Sequence, residues 1–324
     1  MMQIVLIGLC AGTTSALLFA SVVSGTTLSF LLANFAQLPI LIAAIGWTQL
    51  AGLSALLIAT AGLALTLGST IAFAFFITIG LPAWWIGYLA LLARPAPAQP
   101  DGIEWYPVGR IVVWTAILAA AVTLASMLRY GLDVMQMQAG LRRELEQALR
   151  FLTGASREGP LELPSVKSPD RLLDLLTIIV PPMKAVAVAA TSLTNLWLAG
   201  RIVRTSGRLR RPWPAIAEMT FPAFAPAVLA VAVALTFLPD VLGLTGSIFG
   251  ASLLLAYALL GLAVLHAVTA GVGGRGVMLG GLYLSIVLFG WPLILMAALG
   301  LIETLASLRA RVAARRALPP SVNR

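Results

Sequence analysis

Between Met1 and Ala93 there is no aspartate, glutamate, lysine, arginine or histidine. That silence limits the fold more than any other feature of the chain. A water-facing surface of such size cannot do without ionic groups, and ordinary soluble domains are about 25% charged. Over its 324 residues this chain is 10% charged and 60% hydrophobic. It reads as an integral membrane protein, all-α, a polytopic transmembrane helical bundle.

A helix needs roughly 20 apolar residues to cross a hydrocarbon core of about 30 Å. The uncharged stretch therefore holds four crossings, near 4–22, 28–46, 49–67 and 70–93, broken at Ser24-Gly25-Thr26-Thr27, beside Trp47 and at Gly68-Ser69-Thr70. No basic residue precedes the first run, and Leu9 before Cys10 is too large for a lipoprotein cleavage box, so this run reads as a membrane helix. Arg94 to Pro107 is rich in proline and reads as a polar loop. Val108 to Ser126 is a fifth crossing. Further crossings fall near 182–200, 223–239 and 247–270, and a last apolar run, 277–303, is interrupted by Gly290, Trp291 and Pro292. The total is about eight or nine.

This reading divides the chain into an N-terminal five-helix membrane region (1–128), an aqueous segment (129–171), C-terminal membrane helices (172–308) and a basic tail (309–324). The aqueous segment is nearly neutral. In it Leu141, Leu145, Leu149 and Leu152 recur at helical spacing, while Arg142, Glu146 and Arg150 are spaced to pair at i and i+4 on another side. The expected amphipathic helix lies on the membrane or covers the bundle, with a partner-binding helix as the other reading.

Two readings of Lys184 stand. If its span begins at Leu172, the ammonium lies near mid-membrane beside a helix broken at Pro181-Pro182, as at transporter binding sites. If Pro181 or Pro182 is the first helical residue, 182–200 spans the core and Lys184 snorkels at the outer interface. The second is favoured. Beyond it Arg201, Arg204, Arg208, Arg210 and Arg211 form a topology-determining cluster that faces the cytoplasm. The excess of basic residues thus has a topological explanation, which leaves nucleic acid without a role. Nine simple crossings would put this cluster and the tail arginines Arg309, Arg311, Arg315 and Arg316 on opposite faces. Either 277–303 folds back at Pro292, or the tail departs from the positive-inside rule.

No serine, histidine and acid set, no paired carboxylates, no phosphate loop and no zinc-type spacing occurs, so the chain is read as a non-enzyme without cofactor or metal. The polar residues inside apolar runs are Asn34, Gln37, Gln49, Asn195, His266 and Glu303. Hydrogen bonding between helices is their ordinary role. As a solute pocket, the candidates are Asn34, Gln37, Gln49, Trp84, Lys184 and Asn195. Most of the eight tryptophans read as interfacial anchors. Gly8, Gly12, Ala16 and Ala20 form a strip of small residues that lets another backbone approach, within the chain or from another protein. Ala51, Ala55 and Ala59 repeat the pattern.

The strings Gln37-Leu38-Pro39-Ile40-Leu41-Ile42-Ala43-Ala44-Ile45-Gly46-Trp47, Gly80-Leu81-Pro82-Ala83-Trp84-Trp85-Ile86-Gly87-Tyr88 and Glu104-Trp105-Tyr106-Pro107-Val108-Gly109-Arg110 resemble the alphaproteobacterial branch of the YybS-like membrane proteins, a family of unknown function. So does the succession Pro182, Asn195, Arg201 to Arg211, Pro222, Gly300-Leu301-Ile302-Glu303 and Arg309, with Asp expected where Glu303 stands. That family is distantly similar to the S components of energy-coupling-factor vitamin transporters. The likeness implies a pocket open to the outside and a contact of Gly8, Gly12, Ala16 and Ala20 with a coupling subunit. No vitamin-binding residue carries over, and S components have about six helices.

The expectation is a multi-pass protein of the bacterial inner membrane that binds or helps transport a solute in a pocket among its first six helices. The alternative is a non-transporting scaffold or accessory protein acting through helix contacts. The implied partners are the lipid bilayer and a membrane coupling subunit or other membrane protein.

Overall fold

The computed structural model describes residues 1–98, 102–154, 166 and 168–317, the side chains of 315–317 excepted. The uncharged third forms α1 (Met2–Ala20) with a 3-10 extension over Ser21–Ser24, α2 (Thr27–Ala33), α3 (Gln37–Gly46), α4 (Gln49–Leu67), α5 (Ser69–Phe75) and α6 (Leu81–Leu91). Two helix starts are capped by threonine hydroxyls: Thr26 accepts from the Ser29 N–H, and Thr48 from the Ala51 N–H. A π turn over Phe76–Gly80 joins α5 to α6. Pro82 has no N–H to offer the Thr78 carbonyl, and the ladder widens ahead of it.

The proline-rich stretch after α6, expected as a loop, holds a short hairpin in which β1 (Ala93–Pro95) runs antiparallel to β2 (Ile103–Trp105). Arg94 and Glu104 bridge the strands at 2.6 Å, while Pro100 and Asp101 lie outside the described residues. There follow α7 (Val108–Met127), α8 (Val134–Thr153), α9 (Pro169–Thr205), α10 (Ala225–Leu235), α11 (Asp240–Val268), α12 (Arg275–Phe289), α13 (Pro292–Ala306) and α14 (Leu308–Ala317). Residues 155–165 and 167 of the aqueous segment lie outside the described residues, as do 318–324 of the tail.

Among the described residues seven helical segments are long and apolar enough to cross a membrane, or eight if α13 and α14, bent by 70° at their junction, count as one. The architecture is thus the expected all-α polytopic bundle with seven or eight such helices, where eight or nine were expected. The difference lies in α10 and α12. At 1.5 Å per residue their 11 and 15 residues reach about 16 and about 22 Å, short of the core. Hydroxyls on the exposed helix faces serve themselves: Thr13, Thr14, Thr66, Thr78 and Thr194 each donate to a carbonyl one turn back, as lipid requires.

Two further boundaries differ from the sequence reading. α9 is one helix of 37 residues that runs through Pro181 and Pro182, so neither proline is its first residue. α11 begins at Asp240, seven residues before the expected start, with its carboxylate at the positive end of the helix dipole.

The chain forms two compact units, the first comprising Met1–Thr115, Ala190–Ala223 and Ala256–Arg324, the second Ala116–Ala189 and Phe224–Leu255. The first is built on close backbone approach. A Cβ at Gly12 would lie 2.6 Å from the Ala55 carbonyl oxygen, and one at Gly8 would meet Ser54. The methyl of Ala44 fits between Gly52 and Gly87, where an added Cβ would meet it at 2.6 and 2.8 Å. Around them Ile40, Leu41, Ala51, Ala55 and Ile86 are fully buried.

In the second unit Ala120, Ala185 and Ile248 bring α7, α9 and α11 together, and Met127, Met137 and Leu141 seat α8. The Ser252 hydroxyl donates to the Ala116 carbonyl at 2.7 Å. α8 is the expected amphipathic helix, but its charges pair differently. Glu146 and Arg150 form the i, i+4 pair at 2.7 Å. Arg142 turns away from Glu146 to Asp170, at 2.6 Å, and Asp174, because the start of α9 offers it two carboxylates.

Candidate functional site

The second unit contains a cavity of about 260 Å³ whose wall is drawn from α7, α8, α9, α11 and the end of α10. Met127, Met137, Leu141 and Leu244 make it apolar. Its polar members are Gln138, Thr177, Thr236, Asp240 and Ser247. The three hydroxyls are committed as donors to their own backbones, Thr177 to Leu173, Thr236 to Val233 and Ser247 to Leu244, at 2.7, 2.6 and 2.8 Å. Toward a ligand they can only accept. Asp240 is exposed, with φ 59°, and adds a carboxylate.

The prolines inside α9 contribute as well. Lacking N–H groups, Pro181 and Pro182 leave the carbonyls of Thr177 and Ile178 without their helical donors, and Thr177, Ile178 and Pro181 all line the cavity. A helix with orphaned carbonyls is tolerated at membrane depth where it borders a cavity. The site is therefore rich in acceptors and carries one acid.

The residues singled out from the sequence do not gather in one place. Asn34 and Asn195 meet: where α2 gives way to α3, the Asn34 carbonyl accepts from the Asn195 amide nitrogen at 2.7 Å. Next to it the Ala36 carbonyl accepts from the Ser15 hydroxyl at 2.6 Å. The first bond supplies a donor to a carbonyl at the helix break, and the second adds one to the carbonyl that caps the start of α3. The amide oxygens of Gln37 and Asn195 are buried without a partner. Gln49 and Trp84 form a second pair through the Gln49 backbone carbonyl, which accepts the indole N–H at 3.2 Å.

Lys184 lies in the other unit, half-buried, its ammonium donating to the Ser126 hydroxyl at 2.8 Å. It is not part of the cavity wall. His266 has Nδ1 3.0 Å from the Leu262 carbonyl and its ring 6.0 Å from that of Tyr283. The sequence reading missed Asp240, a charge in the middle of an apolar stretch, and did not use the carbonyls that Pro181 and Pro182 release.

The arginine cluster splits into exposed and buried members. Arg211 donates to the Ala90 and Tyr106 carbonyls at 3.2 and 3.3 Å, closing the end of α6. Burial pushes its guanidinium below the usual arginine value. Arg201, Arg204, Arg208 and Arg210 are exposed. The buried Glu303 accepts from the Arg309 side chain at 2.8 Å and from its backbone N–H at 3.1 Å. Arg309 also donates to the Ala217 and Met219 carbonyls at 2.6 and 2.9 Å. The start of the tail helix and the loop that follows the cluster are therefore in contact, which puts the two arginine-rich segments on one face and removes the parity conflict. The side chains of Arg315 and Arg316 lie outside the described residues.

The model of the DUF2232 family, described as predicted membrane proteins, matches residues 13–304. No curated protein and no solved structure matches the chain.

Proposed function

From the premise that the chain belongs to the DUF2232 family of membrane proteins, we propose that it is a non-enzymatic solute-binding component of the bacterial inner membrane, and that its solute is a small amphipathic amine. The observation that carries this reading is the lining of the 260 Å³ cavity: apolar walls, hydroxyls able only to accept, two carbonyls freed by Pro181 and Pro182, and the Asp240 carboxylate. An ammonium supplies a positive charge for the Asp240 carboxylate and donors for the remaining acceptors, beside the Gln138 amide that the wall itself contributes. The volume suits a small molecule, below the range of about 300–1,000 Å³ of drug-sized sites. The exposed arginines support a cytoplasmic orientation for their face.

This reading puts the pocket in the second unit, on the cavity lined there, rather than among the first six helices, where Ala44 packs closely against Gly52 and Gly87. A scaffold or coupling-subunit role for the small-residue strip would need it uncovered, and Gly8 and Gly12 are covered by α4.

The test is thermal unfolding of the full chain in lipid nanodiscs with butylamine to hexylamine, set against the carboxylates of the same lengths. Ligand at 100 times its dissociation constant adds about 2.7 kcal/mol, so amines raise the melting temperature and carboxylates do not. Asp240→Asn abolishes the shift and leaves the unliganded melting point in place. Equal shifts by amines and carboxylates, or an undiminished shift in Asp240→Asn, would refute the reading.

A further inference from the structure

On the arginine face, the guanidinium groups are arranged as well as concentrated. Arg208 lies with its central carbon 4.6 Å from the Trp47 ring centre, Arg204 5.1 Å from that of Trp213, and Arg201 5.8 Å from those of both Trp197 and Trp213. All three are exposed, and among the described residues none forms an ion pair. Glu218, the one acid between Arg201 and Asp240 in sequence, is not their partner.

A guanidinium stacked on an indole has one face occupied and its N–H edge free. That edge matches two oxygens of a phosphate in the bidentate manner a lysine cannot reproduce. Indoles also settle at headgroup depth. Stacking there lowers the freedom each arginine must give up on binding and sets its donors where lipid phosphates lie.

The geometry points to Arg201, Arg204 and Arg208 as a binding site for the phosphate of an anionic phospholipid, held at this face by the indoles of Trp47, Trp197 and Trp213. Arg211 is excluded from it, because its donors serve Ala90 and Tyr106. The shared chemistry is a phosphate oxygen pair, and the source is the bilayer.

The experiment is native mass spectrometry of the purified full chain after incubation with equal amounts of phosphatidylglycerol and phosphatidylcholine of one chain length. Each basic residue at an anionic surface contributes about fivefold. The wild type retains phosphatidylglycerol at least about tenfold over phosphatidylcholine, and the combined Arg201→Gln, Arg204→Gln and Arg208→Gln variant loses the preference. Arg142→Gln, whose arginine pairs with Asp170 and Asp174, keeps it. Should the triple variant fail to fold, Arg208→Gln alone lowers the preference about fivefold. Equal retention of both lipids by the wild type, or wild-type preference in the triple variant or in Arg208→Gln, overturns the site. Complete displacement of phosphatidylglycerol by millimolar inorganic phosphate would make it a site for the free anion instead.

Discussion

Replacing Gly12 by alanine adds one methyl group where α1 meets α4. The new Cβ falls 2.6 Å from the Ala55 carbonyl oxygen, 3.1 Å from the Ile58 Cβ and 3.2 Å from the Ala59 nitrogen. Ordinary contact begins at 3.4 Å, and a backbone carbonyl has no rotamer with which to yield, so the helices must part locally by about 0.8 Å. A gap of that order forfeits a quarter to a half of each dispersion contact it opens, and overpacking costs about 1–3 kcal/mol. At about 2–4 °C per kcal/mol for chains of a few hundred residues, the apparent melting temperature in detergent falls by about 2–12 °C. Gly8→Ala falls similarly: the Ser54 hydroxyl can rotate away after giving up its 2.9 Å bond to the Ala51 carbonyl, but the Ser54 Cβ, 2.7 Å from the new methyl, is fixed to the backbone of α4. Gly62→Ala on α4 has nothing within 4 Å and gains helix propensity, by about 0.5–1 kcal/mol. The series is read by fluorescence-detected size-exclusion after heating. If Gly12→Ala melts with the wild type, or Gly62→Ala falls as far, the close approach of α1 and α4 is wrong.

Two other predictions concern buried polar groups. Asn195→Asp removes the donor that serves the Asn34 carbonyl and leaves two acceptors facing each other, so it lowers stability by at least about 1 kcal/mol, whereas Thr194→Ser, on an exposed position, changes it by less than about 0.5 kcal/mol; a melting curve of Asn195→Asp that matches the wild type contradicts the role given to that amide. Glu303→Ala strands the Arg309 guanidinium, which costs about 3–5 kcal/mol when one partner of a buried pair is removed, and the start of α14 becomes accessible to trypsin at Arg309 and Arg311; unchanged proteolysis would show that the pair does not hold the tail.

The crossings before Ala93 were legible because absence of charge is a property of the whole stretch, insensitive to where any one helix begins. α8 was legible because a leucine repeat needs only local spacing. Pro181 and Pro182 were not, since proline at a first helical turn and proline beside a cavity look alike until the surroundings of the freed carbonyls are known. The partners of Arg142 depended on two carboxylates about thirty residues away. Likewise nothing in the string Arg201 to Arg211 separates Arg211, which closes a helix end, from Arg208, which lies exposed on Trp47: the distinction rests on where Ala90 and Trp47 come to stand. Nor does an asparagine in an apolar run disclose what it serves: Asn195 donates to the Asn34 carbonyl where α2 gives way to α3, a break far away in sequence.

The bonds from Arg309 to Ala217 and Met219 span 92 and 90 residues of sequence. A ribosome therefore releases the turn long before it makes the side chain that completes it, and α10 to α13 must all be threaded into the bilayer in between. Until then those two carbonyls have only water to turn to. The last stretch of the chain to emerge closes a joint opened much earlier, and a protein cut short before Arg309 would leave that joint open however well its other helices had inserted.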